Sequence, residues 1–185
     1  MVHPAIQIIQ DTFQTHGTKF YGMEAVTQLE HALQSGDLAK ERGGSDAVVA
    51  ACLLHDIGHI LDGKIFAASL EENLHDHHED KGALFLQRYF GDAVADPVRL
   101  HVRAKRYICT KNPSYVDVLS RTSKKSFEDQ GGMMSEDEVK EFEAQRYHED
   151  SVFLRKVDDI AKVQGKVTAA LEDYIPMLEG LLIVQ

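Results

Sequence analysis

Tryptophan is absent from this chain, cysteine occurs twice and proline four times in 185 residues. The two thiols, Cys52 and Cys109, belong to no CxxC pair, so neither a zinc ribbon nor a dithiol redox motif is signalled. Set among apolar or helical neighbours, they read as two buried, reduced thiols of a cytosolic protein. Positive charge is scarce as well: 20 Lys and Arg stand against 30 Asp and Glu, a formal charge of −10. Such a chain gains little from counterion release, which argues against a nucleic-acid partner. No window reaches the roughly 18 apolar residues that a membrane helix needs. The opening MVHPAIQIIQDTFQ lacks the basic stretch and long apolar run of a secretory leader. The expectation is a soluble, cytoplasmic protein with no membrane partner. Its length suits one domain, residues 1–185, and 43% hydrophobic residues suffice for a packed core.

Alternating strand patterns, internal repeats and low-complexity linkers are also missing, and helical periodicity dominates. Residues 4–15 place Ile6, Ile9 and Phe13 on one face. The stretch 23–42, MEAVTQLEHALQSGDLAKER, carries an apolar stripe at Val26, Leu29, Ala32, Leu33 and Leu38 and is closed by Gly43-Gly44. Ser45-Asp46 offers an N-cap for a helix from about 46 to 61. Residues 62–77 read as a loop or a short irregular helix. Further helices are expected over the EDKGALFLQRYF run stopped by Gly91, over 94–109 with Pro97 in its first turn, and from NPSYVDVL. DQGGMM reads as a turn. Ser135 opens a capping box, Ser-Glu-Asp-Glu, for a long helix to about Lys162, and a last helix covers roughly 166–181. The fold class is all-α, a single-domain helical bundle.

What the chain has in excess is histidine, ten residues. The segment LLHDIGHIL, Leu53 to Leu61, is apolar enough for a core helix, yet it holds His55, Asp56 and His59. Burying these unpaired would cost several kcal/mol each, roughly, so they need partners. His31 sits mid-helix, His59 follows His55 by about one turn, and His78 opens a helix. His101 and Lys105 lie one turn apart, as do Arg155 and Asp158. Helix bundles hold metal ions in this way, with ligands projecting inward from facing helices. Imidazole nitrogen and carboxylate oxygen without thiolate suit Fe, Mn, Zn or Mg. Four histidines and two aspartates exceed one tetrahedral site, and Asp56 is the natural bridge between two ions. Composition does not choose the metal. Taken singly, each residue has a plainer reading: a core histidine, an ordinary core Tyr21, a surface Glu24, or a His59 that only orients a ligand. His75 and His77 read as solvated loop residues, and SEDEVKEFEAQ as a solvated helix face.

His31, then His55-Asp56, then Asp158 resembles the signature of the HD-domain superfamily, mostly metal-dependent phosphohydrolases on an all-α fold. His78 and His101 resemble the extra histidines of its two-metal branch. The flanks narrow the likeness. YGMEAVTQLEHALQ, LLHDIGH, HEDKGALFL, HVRAKRY, SKKSFEDQGG and LRKVDD, in order over roughly residues 21–158, are similar to the PhnZ-like mixed-valent diiron oxygenases that cleave organophosphonates.

The resemblance implies that His31, His55, Asp56 and Asp158 hold one iron and that Asp56, His78 and His101 hold the other, as Fe(II)/Fe(III) with O2 as co-substrate. It implies phosphonate contacts at His59, Lys105, Ser123, Ser126 and Arg155, a further pocket position at Gln130, and Tyr21 with Glu24 as the pair that guards the open iron site and receives the substrate's amino end. The residues agree with this division. Lys105 and Arg155 each lie about a turn from a ligand and supply cations for a phosphonate. Ser123 and Ser126 share a face if their segment is helical. Tyr21, Glu24, Gln28 and His31 fall at i, i+3, i+7 and i+10, so they share a stripe that leads to the metal. The implied reaction is O2-dependent cleavage of a small 1-hydroxyphosphonate with a cationic group at carbon 2, giving glycine or glycine betaine and phosphate. The substrate would come from a separate hydroxylase. Residues 62–77 depart from the family's Gly-rich pattern, which leaves the amino group's identity open. The rival is an HD phosphohydrolase; Tyr21, Glu24, Lys105 and the QGG turn argue against it.

Overall fold

The computed structural model describes residues 2–62 and 77–183. Its elements are α1 (Pro4–His16), α2 (Gln28–Glu41), α3 (Asp46–Leu54), a 3-10 turn (Ile57–His59), α4 (His78–Phe90), α5 (Asp92–Lys111), a 3-10 segment (Pro113–Val118), α6 (Arg121–Asp129), α7 (Glu136–Glu143), α8 (His148–Ile160), a 3-10 turn (Leu171–Tyr174) and α9 (Ile175–Gly180). The described residues form no strand beyond one isolated bridge between Phe20 and Thr27, so the all-α expectation holds. The sequence stretch 63–76, with His75, lies outside the described residues.

The long helix α5 packs against α3, α4 and α8, and α2 packs against α3 and α8. The main core lies among them, built from Ile6, Ile9 and Phe13 of α1, Val49, Leu53 and Leu54 of α3, Phe85 and Leu86 of α4, Val94 and Val98 of α5, and Leu154 and Val157 of α8. A smaller cluster joins Leu100 and Ala104 of α5 to Met134 and Phe142. Both thiols are buried and free. No helix of the described residues is long and apolar enough to cross a membrane.

Four expected boundaries are corrected. The helix read over 23–42 begins only at Gln28. Thr27 caps it: its Oγ1 accepts from the Glu30 N–H at 3.2 Å, and Glu30 Oε2 accepts from the Thr27 N–H at 2.7 Å. Tyr21 and Glu24 therefore stand in a turn before the helix, where Glu24 N–H donates to Tyr21 O at 2.9 Å, and not on its stripe.

The helix read over 46–61 ends at Leu54 and continues as a tighter 3-10 turn at Ile57–His59. Gly58 explains the change. A Cβ there would collide with the His78 carbonyl oxygen and stand 2.7 Å from the Gly82 nitrogen, so only glycine lets this turn lie against α4. The helix read over 135–162 is two, because the chain turns at 144–147 to seat Phe142 under α5 and bring α8 back along it. The helix read over 166–181 is reduced to a 3-10 turn and the short α9.

Candidate metal centre and substrate cavity

Six buried or half-buried side chains converge where α2, the α3 end, α4, α5 and α8 meet. His31 comes from α2, His55 and Asp56 from the end of α3, His78 from the first residue of α4, His101 from α5 and Asp158 from α8. All but His78 are buried.

The imidazoles are oriented by their far nitrogens. Nδ1 of His31 lies 2.8 Å from the Ala161 carbonyl, Nδ1 of His55 2.8 Å from that of Cys52, and Nδ1 of His101 2.6 Å from that of Val98. A carbonyl only accepts, so each Nδ1 carries the proton and each Nε2 presents a lone pair inward. His78 Nδ1 makes the same arrangement with Glu79 Oε2 at 3.2 Å.

The inward atoms form two groups. Around the first, His31 Nε2 and His55 Nε2 are 3.2 Å apart, His31 Nε2 is 3.3 Å from Asp158 Oδ1, and His55 Nε2 is 3.2 Å from Asp56 Oδ2. Around the second, His78 Nε2 lies 3.4 Å from His101 Nε2 and 3.5 Å from Asp56 Oδ1, and His101 Nε2 lies 3.8 Å from that same oxygen. Two lone pairs facing each other at such distances repel unless a cation sits between them. Ligands about 2.1 Å from a metal ion stand about 3.0 Å apart in an octahedron and about 3.4 Å in a tetrahedron. Asp56 Oδ2 and Asp158 Oδ1 are moreover buried and accept no hydrogen bond. The donor set suits metal binding in two groups that share Asp56, one of its oxygens facing each.

The electrostatics agree. Burial opposes charge on Asp56, but His55, by its charge and its hydrogen bond, holds the carboxyl well below the usual range. Asp158 is likewise held low against burial by Arg155 and Lys162. Burial lowers His78 to about 2 and His101 to about 4, so both rings are neutral donors. Burial would lower His55 too, but Asp56 and Asp158 outweigh it and raise it to about 9, a positive charge that a metal ion would replace.

A cavity of about 440 Å³ opens onto this cluster. Tyr21, Glu24, His59, Lys105, Ser123, Ser126, Gln130 and Arg155 all line it, beside Asp56, His78, His101 and Asp158. Lys105 Nζ donates to Ser126 Oγ at 2.6 Å, and Arg155 Nη2 to Ser123 Oγ at 3.4 Å. Ser123 and Ser126 do share one face, on α6, whose N-cap is Ser120. Arg155 has a second set of partners: Nη1 pairs with Asp158 Oδ2 at 2.7 Å, and Nε and Nη2 pair with Asp159. It holds the Asp158 carboxylate as well as facing the cavity. His59, 42% exposed, is not stacked over His55 as a continuous helix would place it. Its ring lies parallel to that of His78, centroids 3.8 Å apart, with Nε2 3.9 Å from Asp56 Oδ1. Tyr21 stacks on His31, and burial together with Asp158 and Asp56 raises its phenol well above the usual value, so it stays protonated. The buried Gln130 Oε1 has no hydrogen-bond partner.

Sequence reading missed Lys19, Phe20, Val102 and Thr122 in the cavity wall and Lys162 behind it. Lys162 Nζ stands 3.2 Å from Asp158 Oδ1 and 5.5 Å from the centre of the Tyr21 ring. Its i+4 spacing from Asp158 is the signal that could have found it. His77 is exposed, as expected of a loop residue.

An all-α bundle with this histidine and aspartate arrangement is an HD domain, and the chain belongs to the HD-domain family, whose profile matches residues 28–160. Two relatives narrow the comparison. The chain is 44% identical over 174 residues, 93% of its own length and 85% of the relative's, to a hydroxymethylphosphonate dioxygenase of Gimesia maris. It is 33% identical over 177 residues, 96% of its own length and 90% of the relative's, to the glycine-betaine-forming [1-hydroxy-2-(trimethylamino)ethyl]phosphonate dioxygenase of Leisingera caerulea.

Proposed function

We propose that this chain is an O2-dependent oxygenase that cleaves the C–P bond of a small 1-hydroxyphosphonate and holds two iron ions, as Fe(II)/Fe(III), in the cluster around Asp56. The observation that carries this reading is Asp56 itself, whose two oxygens face two separate imidazole groups beside a cavity furnished with cations and hydroxyls. The names of both relatives support oxygenase over hydrolase chemistry. The reaction balances without a further reductant. A 1-hydroxyphosphonate plus O2 gives a carboxylic acid plus phosphate, the C1–H and C–P bonds being lost and one oxygen atom gained by each product.

His31, His55, Asp56 and Asp158 would hold one ion, and Asp56, His78 and His101 the other. Bound iron would supply the redox chemistry that O2 requires. The chain's own residues do the rest. Lys105 with Ser126, and Ser123 with Arg155, receive the phosphonate oxygens. His59 stands at the second group, where it contacts the same dianion. Tyr21 covers His31 and, with its phenol protonated, donates toward the open side of the cluster. Gln130 has a carboxamide oxygen to offer a substrate donor.

Glu24 is the one carboxylate among the described cavity residues that belongs to neither imidazole group. It suits a substrate with a cationic group at carbon 2, a primary amine giving glycine or a trimethylammonium giving glycine betaine. The substrate would be supplied by a separate hydroxylase. We read residues 1–185 as one domain, and the reduced state of Cys52 and Cys109 fits the cytoplasm.

The test is phosphate release by the iron-loaded protein, with and without O2. The substrates are 1-hydroxy-2-aminoethylphosphonate, its trimethylammonio analogue and hydroxymethylphosphonate. Release that needs O2 and consumes it one for one supports the reading; release from a phosphate ester without O2 overturns it in favour of a phosphohydrolase. Glu24→Gln should reduce kcat/KM for the cationic substrates far more than for hydroxymethylphosphonate, and equal losses would remove the cationic arm from the proposal.

A further inference from the structure

Gln34 lies on α2, one turn after His31 and 1% exposed, and none of the roles above uses it. A buried carboxamide needs partners, and this one has taken both polar groups of a single residue. Its Nε2 donates to the Val163 carbonyl at 2.9 Å, and its Oε1 accepts from the Val163 N–H at 2.9 Å. Val163 stands just past the end of α8, where the backbone no longer satisfies itself, and two residues earlier is Ala161. The Ala161 carbonyl is the acceptor for His31 Nδ1 at 2.8 Å. Between them, Lys162 reaches Asp158. Two of these three consecutive residues, Ala161 and Lys162, thus touch two ligands of one metal group, and Gln34 clamps the third, Val163.

We propose that Gln34 is a positioning residue for the metal centre. By gripping Val163 it holds the Ala161 carbonyl against His31 Nδ1, and so keeps the His31 Nε2 lone pair turned toward the metal. This rests on the reading of the His31 group as a metal site. The same strap has an independent anchor further on, where Asp37 accepts from the Ala169 N–H at 3.0 Å and from the Tyr174 hydroxyl at 2.5 Å. Asp37 makes a control: it fastens the segment after α8 without touching the Ala161 carbonyl that His31 Nδ1 uses.

The experiment uses the full chain in two states. In metal-free protein, long-range proton–nitrogen NMR correlations in mildly alkaline buffer report the His31 tautomer. With Fe(II) added under anaerobic conditions, calorimetry resolves the two binding steps, and His101→Ala identifies the one that belongs to the His31 group. Gln34→Leu, which keeps the volume and removes both bonds, should mix the His31 tautomers and weaken the His31-group step about tenfold, in the range for outer partners of metal ligands. The other step should not move, and Asp37→Asn should leave both the tautomer and the steps alone even where it lowers the melting temperature. Gln34→Met provides the same comparison if the leucine variant does not fold. A single unchanged His31 tautomer with unchanged Fe(II) steps, whatever the loss of stability, would make Gln34 a structural residue and overturn the proposal. A wild-type chain that binds no Fe(II) would instead defeat the metal reading, and the tautomer would still judge Gln34.

Discussion

The ring of Tyr21 lies parallel to the ring of His31, with centroids 4.1 Å apart and 16° between the planes. The contact joins a turn outside the helices to a proposed ligand on α2. It gives Tyr21 two separable functions, a packing surface for the imidazole and a protonated hydroxyl in the cavity.

Tyr21→Phe should keep the stack and therefore the metal content, while changing turnover. Tyr21→Ala loses the stack as well. An aromatic pair contributes about 0.5–1.5 kcal/mol, so metal affinity at the His31 group should fall roughly 2- to 13-fold. Metal titration of both variants separates the two roles; equal affinity in both would show that the ring does not support His31.

Lys105 should set a pH limit on activity. Burial, with Arg155 as a second cation, lowers its ammonium to about 8. The charged form is the one proposed to bind a phosphonate, so kcat/KM, which reports the free enzyme, should fall as pH rises through about 8. Lys105→Arg keeps a cation that does not titrate and should move this limb upward. Lys105→Ala should cost roughly 10- to 150-fold in substrate affinity, the range for a charged hydrogen bond of about 1.5–3 kcal/mol. A pH profile identical in wild type and Lys105→Arg would remove Lys105 from the phosphonate site.

Much of this arrangement is legible in one dimension. The proposed ligands stand out because a buried histidine or aspartate conflicts with its apolar run, and His55-Asp56 inside LLHDIGHIL is the plainest case. Bundle class and the caps at Ser45 and Ser135 are visible for similar local reasons. The failures are tertiary. No Gly or Pro marks the break at 144–147, because it is the seating of Phe142 under α5 that bends the chain. Thr27 and Glu30 form a capping box, but the apolar Val26 before them prolongs the apparent stripe and hides the true start of α2. Arg155 is visible as a cation one turn from Asp158, whereas its grip on Asp158 and Asp159 needs three dimensions.

Gly58 offers a test of how the second imidazole group is placed. Gly58→Ala introduces a Cβ against the backbone of His78 and Gly82. Overpacking of this kind costs about 1–3 kcal/mol, and the strain falls where α4 begins. Thermal melts should show that loss, and metal titration should show the His78 and His101 group weakened more than the His31 group. Equal weakening of both groups would mean that the turn supports the bundle generally and not the ligand.

The central claim is that one carboxylate serves two metal ions, and metal content measures it most directly. Elemental analysis of the iron-loaded protein should find close to two irons per chain in the wild type. Asp56→Ala, shown to be folded by its circular dichroism, should retain neither, because removing the carboxylate takes a ligand from each ion and the negative charge that lies between them. An Asp56→Ala protein that still holds one iron tightly would contradict the bridge and return the site to two independent groups.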